Sequence, residues 1–224
     1  MRSVLVLPAD GPLPMRALEC GAAALLLRLG GALSRDDART RARAFVETAP
    51  MRAGRPRLFA QVAPVTGAEI DGDLEAIVCA GLDGVFLEGC EGRGDVQGLS
   101  VKLSVREAEA GLPAGALAIV ALAAQTPAAV FQLGRYKGAS PRLAALAMDE
   151  SALPGGAQAR AAARALLVLG AAAAGVSALD MAPASGEGAL AAARREGVAG
   201  VMANSEAEIA AIEAIFGGAI DKRP

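Results

Sequence analysis

The chain has 224 residues, with 22 Lys and Arg against 24 Asp and Glu, and it contains no histidine. The missing imidazole excludes Ser-His and Cys-His nucleophilic couples and histidine metal ligands, and a net charge of -2 offers no electrostatic footprint for nucleic acid. The longest apolar runs, at residues 114–124 and 165–176, are shorter than the roughly 20 residues of a membrane-spanning helix, so we expect no membrane span.

Short apolar segments alternate with alanine-rich segments along the whole chain. The apolar segments predict eight β-strands, at residues 3–7, 24–27, 58–62, 84–87, 117–123, 143–148, 177–181 and 200–203. Helices are predicted between the strands. Ser34 is typical of a residue that begins a helix, which here covers residues 35–48. Ser205 and Glu208 have the spacing of a capping box, which predicts a helix over residues 205–216. Strands that are apolar throughout are typical of a parallel sheet covered on both faces.

Eight strand–helix units of about 27 residues each predict an α/β fold, a (β/α)8 TIM barrel. We expect a single domain over residues 1–216 and a frayed tail at residues 217–224. A doubly wound open sheet is the alternative, but no G-x-G-x-x-G opens a helix after the first strand.

In a TIM barrel the site lies at the carboxyl ends of the strands. The polar residues that fall there are the candidate pocket residues Gln61, Glu88, Gln125, Asp149, Glu150 and Asp180. Arg28 follows the second strand, where it either neutralises these carboxylates or is a surface arginine. For Asp180, capping of the following turn is the simpler role.

Five stretches of the chain carry a family resemblance: RSVLVLPAD, GAAALLLRLGGAL, LDGVFL, IVALAAQTPAAVFQLGRYKGASPRLAALA and AAAAGVSALD. The fourth is the most specific, with Thr126-Pro127, Tyr136 and the segment 138–143 in register. Through them the chain resembles the citrate lyase beta-subunit family, within the HpcH/HpaI aldolase superfamily, over essentially its whole length. The resemblance implies a TIM barrel, usually oligomeric, that makes or cleaves carbon–carbon bonds with Mg²⁺, commonly on acyl-CoA thioesters such as citryl-CoA or malyl-CoA.

The chain departs from the family at the positions that the resemblance assigns to chemistry. Members of the family normally bind the metal through a Glu after strand five and an Asp after strand six. An Arg on strand three binds the substrate carboxylate. Gln125, Ala152 and Gln61 stand at those three positions. A neutral amide cannot compensate for the dehydration of Mg²⁺, and the lost arginine removes charge-assisted bonds of roughly 1.5–3 kcal/mol each.

Three functions remain open at this point, one of them a barrel that binds an unrelated small molecule without catalysis. The favoured one is a divergent family member, a pseudoenzyme with impaired or lost Mg²⁺-dependent lyase activity and a binding or regulatory role. The alternative is an active carbon–carbon lyase on an acyl-CoA or 2-oxo acid, with an acidic Mg²⁺ site rebuilt from Glu88, Asp149 and Glu150. No catalytic residue and no metal ligand is assigned from the sequence.

The remaining reactive or charged residues have plain interpretations. Cys90 lies near the expected site, but without histidine to activate it we expect an inert thiol. Arg135 and Lys137 either meet a CoA phosphate or are solvated, and Ser151 and Ser205 are polar loop residues. The three cysteines do not form a disulfide framework, and the first residues of the sequence do not resemble a signal peptide. Both observations predict a cytoplasmic protein. We expect a homo-oligomer with an acyl-CoA or oxo-acid ligand, and neither nucleic acid nor membrane as a partner.

Overall fold

Eight parallel β-strands close into a barrel in sequence order, with the last strand paired to the first. The computed structural model describes residues 1–31, 34–149, 153–181 and 186–217. The strands are β1 (Ser3–Pro8), β2 (Ala24–Arg28), β3 (Arg57–Val62), β4 (Gly84–Leu87), β5 (Ala118–Leu122), β6 (Leu143–Ala147), β7 (Ser177–Met181) and β8 (Gly200–Ala203). The predicted (β/α)8 barrel is confirmed, and the closed sheet excludes the open doubly wound alternative.

Helices connect successive strands on the outside of the barrel. They are α1 (Arg35–Thr48), α2 (Ile70–Ile77), α3 (Arg93–Glu109), α4 (Pro127–Val130), α5 (Ala157–Ala174), α6 (Glu187–Arg195) and α7 (Glu206–Gly217), with 3₁₀ turns at Met15–Glu19 and Leu133–Arg135. Ser34 begins α1 as predicted, because its side chain accepts a hydrogen bond from the Asp37 N–H at 3.2 Å. The helix α7 ends at Gly217, and residues 218–224 of the expected tail lie outside the described part of the chain. No helix in the described residues has the length and apolar character needed to cross a membrane.

Alternate side chains along the strands form two separate apolar cores. Twelve buried residues from all eight strands fill the interior: Val4, Val6, Ala24, Leu26, Phe59, Phe86, Val120, Leu122, Ala145, Ala147, Leu179 and Met202. Phe59 and Phe86 meet edge to face there, with ring centroids 5.4 Å apart. The other strand residues pack outward against the helices in a larger core. Because side chains alternate along a strand, the interior residues fix which of the following positions point into the barrel mouth.

Three buried carboxylates are each paired with arginine. Asp73, Glu107 and Asp180 are at most 1% exposed. Their partners are Arg35 and Arg39 for Asp73, Arg142 for Glu107 and Arg164 for Asp180. Such pairs hold elements in place, since a buried charge without its partner is strongly destabilising.

Candidate functional site at the barrel mouth

Five half-buried side chains lie next to the interior core, on the side where the strands have their carboxyl ends. They lie two positions beyond interior residues, and we call them the mouth layer: Arg28, Gln61, Glu88, Asp149 and Met181. The strand pairing continues past the ends of the assigned strands, since the Glu88 N–H donates to the Val62 carbonyl at 3.0 Å and the Met148 N–H to the Leu179 carbonyl at 3.0 Å. Three of the six predicted pocket residues, Gln61, Glu88 and Asp149, therefore share one layer.

The other predicted pocket residues lie elsewhere or outside the described residues. Gln125 comes after β5, and its side-chain Oε1 accepts a hydrogen bond from the Gly89 N–H at 2.7 Å. This bond ties the end of β5 to the loop after β4. Glu150, and Ala152 at the family's second metal position, lie outside the described residues.

Asp180 lies on the outer side of β7 and points away from the mouth. Its carboxylate pairs with Arg164 of α5 and accepts the Met181 N–H at 2.8 Å. Burial raises the pKa of this carboxyl above its usual range, and the Arg164 guanidinium acts in the opposite direction. The position at the end of β7 that faces the mouth belongs to Met181, which packs against the interior core.

The described residues of the mouth do not fit a magnesium site. No group of three or more Asp, Glu, Cys or His side chains within them is arranged to hold a metal ion. Mg²⁺ requires oxygen ligands in near-octahedral geometry and is usually bound through one or two carboxylates. Here the mouth layer places the guanidinium of Arg28 in the same ring as Glu88 and Asp149, and a fixed cation disfavours a second one.

Arg28 carries a buried polar atom, its Nε, that has no hydrogen-bond partner among the described residues. Leaving a buried donor unsatisfied costs about 1–3 kcal/mol, and more when the group is charged. The acceptor for this guanidinium nitrogen is therefore not among the described residues of the barrel.

A second arginine, Arg35, interacts electrostatically with Glu88. Arg35, in the first turn of α1, donates from Nε and Nη2 to the Asp73 carboxylate at 2.8 and 2.6 Å. These bonds raise the pKa of the Arg35 guanidinium, burial opposes the increase, and the Glu88 carboxylate adds a smaller increase. Glu88 is thus near a cation that is already held by another carboxylate.

Sequence reasoning missed Asp73, the residue that organises this side of the site. Its carboxylate also accepts from Arg39 Nε at 2.9 Å and from the Ala63 N–H, just after β3, at 2.8 Å. A signal was present, because Asp73 lies on the buried face of α2 with Ile70, Leu74 and Ile77. A carboxylate on an apolar helical face requires a buried partner.

Cys90 is expected to be chemically inert in the folded protein. Its Sγ lies 3.4 Å from the Tyr136 Oη, and burial raises the pKa of the thiol to about 11. Since the thiolate is the reactive form, an aromatic disulfide reagent at about pH 8 should modify half-buried Cys20 first and leave Cys90 and Cys79 unreacted until the chain unfolds. Rapid labelling of the native protein that disappears in Cys90→Ser would contradict this.

The role of Gln125 can be tested with a pair of substitutions. Gln125→Ala removes the acceptor for the Gly89 N–H and should lower the free energy of unfolding by about 1 kcal/mol. Gln125→Glu keeps an acceptor oxygen and should unfold close to wild type, without gaining affinity for Mg²⁺. Denaturant unfolding and metal titration of both variants measure this, and metal binding by Gln125→Glu would show that a single carboxylate suffices.

No family model and no curated protein sequence matches the chain, whereas solved structures match it over nearly its whole length. Yersinia pestis RipC matches with a TM-score of 0.74 at 18% identity, covering 98% of this chain and 96% of that one. The Mycobacterium tuberculosis citrate lyase beta subunit, complexed with oxaloacetate and magnesium, matches with a TM-score of 0.72 at 17% identity, covering 96% of each chain. The chain has the fold of these barrels.

A Haloferax volcanii malate synthase, in a ternary complex with pyruvate and acetyl-CoA, is a further structural neighbour. It matches with a TM-score of 0.80 at 15% identity, covering 96% of this chain and 69% of that chain. The citrate lyase beta subunit that the sequence resembles is therefore among the proteins that share its fold. The residues at the mouth decide what the barrel does, because one fold hosts many functions.

Proposed function

We propose that the chain is a divergent member of the citrate lyase beta-subunit family, in which Mg²⁺-dependent carbon–carbon lyase activity is lost and the barrel mouth is a binding or regulatory site. The single observation that carries the proposal is Arg28, a half-buried guanidinium in the mouth layer with an unsatisfied Nε. The complexes of the structural neighbours with oxaloacetate, pyruvate and acetyl-CoA support a small-molecule ligand for this chain.

The loss of activity follows from charge. A divalent metal stabilises the negative charge that develops on an enolate, and the protein must supply carboxylates to hold that metal. In this chain Gln125 is neutral and its oxygen is engaged with the Gly89 N–H, while Arg28 brings a positive charge to the mouth. Gln125 therefore supplies no charge to hold a dication, and Arg28 favours an anion beside it.

Calorimetric titration of the purified full chain with Mg²⁺ or Mn²⁺, with and without oxaloacetate, tests the proposal. We expect no saturable, stoichiometric metal binding in either case. The M. tuberculosis citrate lyase beta subunit, whose complex with oxaloacetate and magnesium is known, is a suitable positive control. Tight stoichiometric binding of the metal to this chain would overturn the proposal.

The position of Glu88 and Asp149 in one layer favours the second candidate function. In that case these carboxylates, with Glu150, rebuild a Mg²⁺ site, and the chain is a lyase acting on an acyl-CoA or 2-oxo acid. Cleavage of citryl-CoA or malyl-CoA that requires Mg²⁺ and is abolished by EDTA would support it. Asp149→Ala should then remove the activity, and unchanged turnover would rule out this set of ligands.

We also infer a cytoplasmic homo-oligomer, on the basis of the family resemblance and the cysteines, of which Cys79 and Cys90 are buried and Cys20 half-buried in the fold. Light scattering coupled to gel filtration measures the mass of the assembly. The mass of a single chain at micromolar concentration would contradict the oligomer.

A further inference from the structure

We propose that Arg28 is the anchor of a metal-independent site for a small monocarboxylate, an inference that rests on the proposed binding role of the mouth. Arg28 ends β2, and its backbone is fixed on both sides, by pairing with Pro8 of β1 and with Gln61 of β3. The Arg28 carbonyl also accepts the Ala9 N–H at 3.0 Å. The alternation along β2 then directs the guanidinium into the mouth, beyond Leu26 of the interior core.

Neither strand neighbour of Arg28 offers a carboxylate to its guanidinium. On the β1 side the paired residue is Pro8, whose side chain has no acceptor, and on the β3 side it is Gln61, a neutral amide. No described residue accepts a hydrogen bond from the buried Arg28 Nε. By contrast, Arg35 uses its own Nε and Nη2 on Asp73. Arg28 is thus a guanidinium whose buried Nε–H has no acceptor among the described residues.

The geometry of guanidinium suits a carboxylate. Its Nε–H and one Nη–H form a planar fork that matches the two oxygens of a carboxylate, and such paired, charge-assisted bonds are among the strongest in proteins. The Gln61 amide, on the neighbouring strand, can donate a further hydrogen bond to the same anion. No metal ion is needed to neutralise a single carboxylate held in this way.

The other charges around the mouth limit the ligand to one carboxylate. Asp10, Glu88 and Asp149 are half-buried carboxylates that follow β1, β4 and β6. They repel a second negative charge on the ligand and favour a hydroxyl or ammonium group at its other end. A small hydroxy acid or amino acid meets both requirements, whereas a dicarboxylate does not.

Titration of the full chain in EDTA with lactate and alanine as monocarboxylates, and with malonate as the dicarboxylate, tests the site by calorimetry and thermal unfolding. We expect saturable binding of at least one monocarboxylate, with malonate at least about tenfold weaker. Arg28→Lys keeps the charge but loses the fork and should weaken binding by about tenfold or more. Arg28→Met should abolish it, and Arg41→Gln, which changes an exposed arginine of α1, should bind as wild type.

Arg28→Met also has an expected effect without ligand. Because the buried Nε has no partner among the described residues, its removal should leave the thermal midpoint unchanged or raise it. A large fall in the midpoint of the ligand-free variant would show that Arg28 is paired within the chain and would overturn the inference.

The outcomes separate this inference from the proposed function. Absence of monocarboxylate binding both in EDTA and in Mg²⁺ overturns the inference and leaves the loss of metal chemistry standing. Equal binding by wild type and Arg28→Met overturns the inference in the same way, since the ligand then occupies another site. Binding that appears only with Mg²⁺ overturns both the inference and the proposed function.

Discussion

Replacement of Asp73 by asparagine is expected to lower the free energy of unfolding by about 3–5 kcal/mol, the usual cost of breaking a buried ion pair from one side. The carboxylate is 0% exposed and accepts bonds from Arg35, Arg39 and the Ala63 N–H. Asparagine keeps the volume but presents an amide NH₂ where a guanidinium requires an acceptor. Arg39 keeps Asp36 and Glu69 as partners, whereas Arg35 loses both of its Asp73 bonds.

Asp71→Asn is the matched control for this substitution. Asp71 lies in the same helix, but it is 63% exposed and pairs with Lys102 at the surface. An exposed pair contributes about 0–1 kcal/mol, so denaturant unfolding of the control should remain close to wild type. Equal effects of the two substitutions would show that the Asp73 cluster does not hold α1 and α2 to the end of β3.

Glu107→Gln is expected to destabilise the opposite end of the barrel by a similar amount, about 3–5 kcal/mol. Glu107, 1% exposed, binds Arg142 Nη2 at 2.7 Å and accepts the N–H groups of Gly115 and Leu117, each at 2.9 Å. It therefore joins α3 to the segments that enter β5 and β6. Because these segments precede the strands, this cluster lies on the face of a TIM barrel that serves stability rather than catalysis.

The contribution of Glu107 should depend on pH in a defined direction. Burial raises the pKa of the carboxyl, but the bonds from Arg142, Leu117 and Gly115 together outweigh burial and leave the pKa below its usual value. For a carboxyl with a lowered pKa, the stabilisation is fully present above the unfolded value of about 4.3 and is lost as the pH falls through the lower, folded value. The difference in unfolding free energy between wild type and Glu107→Gln should therefore be constant near neutral pH and shrink below about pH 4.

Glu109→Gln provides the control, since Glu109 lies in the same helix, is 56% exposed and pairs with Arg106 at the surface. The free energy of unfolding of Glu109→Gln should stay close to that of wild type across the pH range. If the difference in unfolding free energy between wild type and Glu107→Gln grew in acid, this would contradict the lowered pKa of Glu107.

The fold could be predicted from the sequence because the signals for it are local. Apolar strands with intervening helices repeat eight times, and Ser34 caps α1 by accepting a hydrogen bond from the N–H of a residue only three positions away. The mouth layer was predicted in part for the same reason, since Gln61, Glu88 and Asp149 follow directly from where β3, β4 and β6 end.

The rest of the site depends on register and on distant partners. Asp180 and Met181 both end β7, and a shift of one residue exchanges the side chain that faces the mouth with the one that faces α5. Asp73 and Arg35 are 38 residues apart, so no periodicity links them. For Arg28 the sequence left two roles open, and only the packing of β2 between β1 and β3 places its guanidinium in the mouth with a buried, unpaired Nε.

The central claim is that the mouth binds an anion and not a magnesium ion, and a crystal soaked with Mn²⁺ and pyruvate tests it most directly. Mn²⁺ accepts the same carboxylate and water ligands as Mg²⁺, and its anomalous scattering identifies it. We predict no anomalous peak in the mouth and density for a carboxylate against Arg28 and Gln61. A Mn²⁺ peak coordinated by Glu88 and Asp149 would contradict the account.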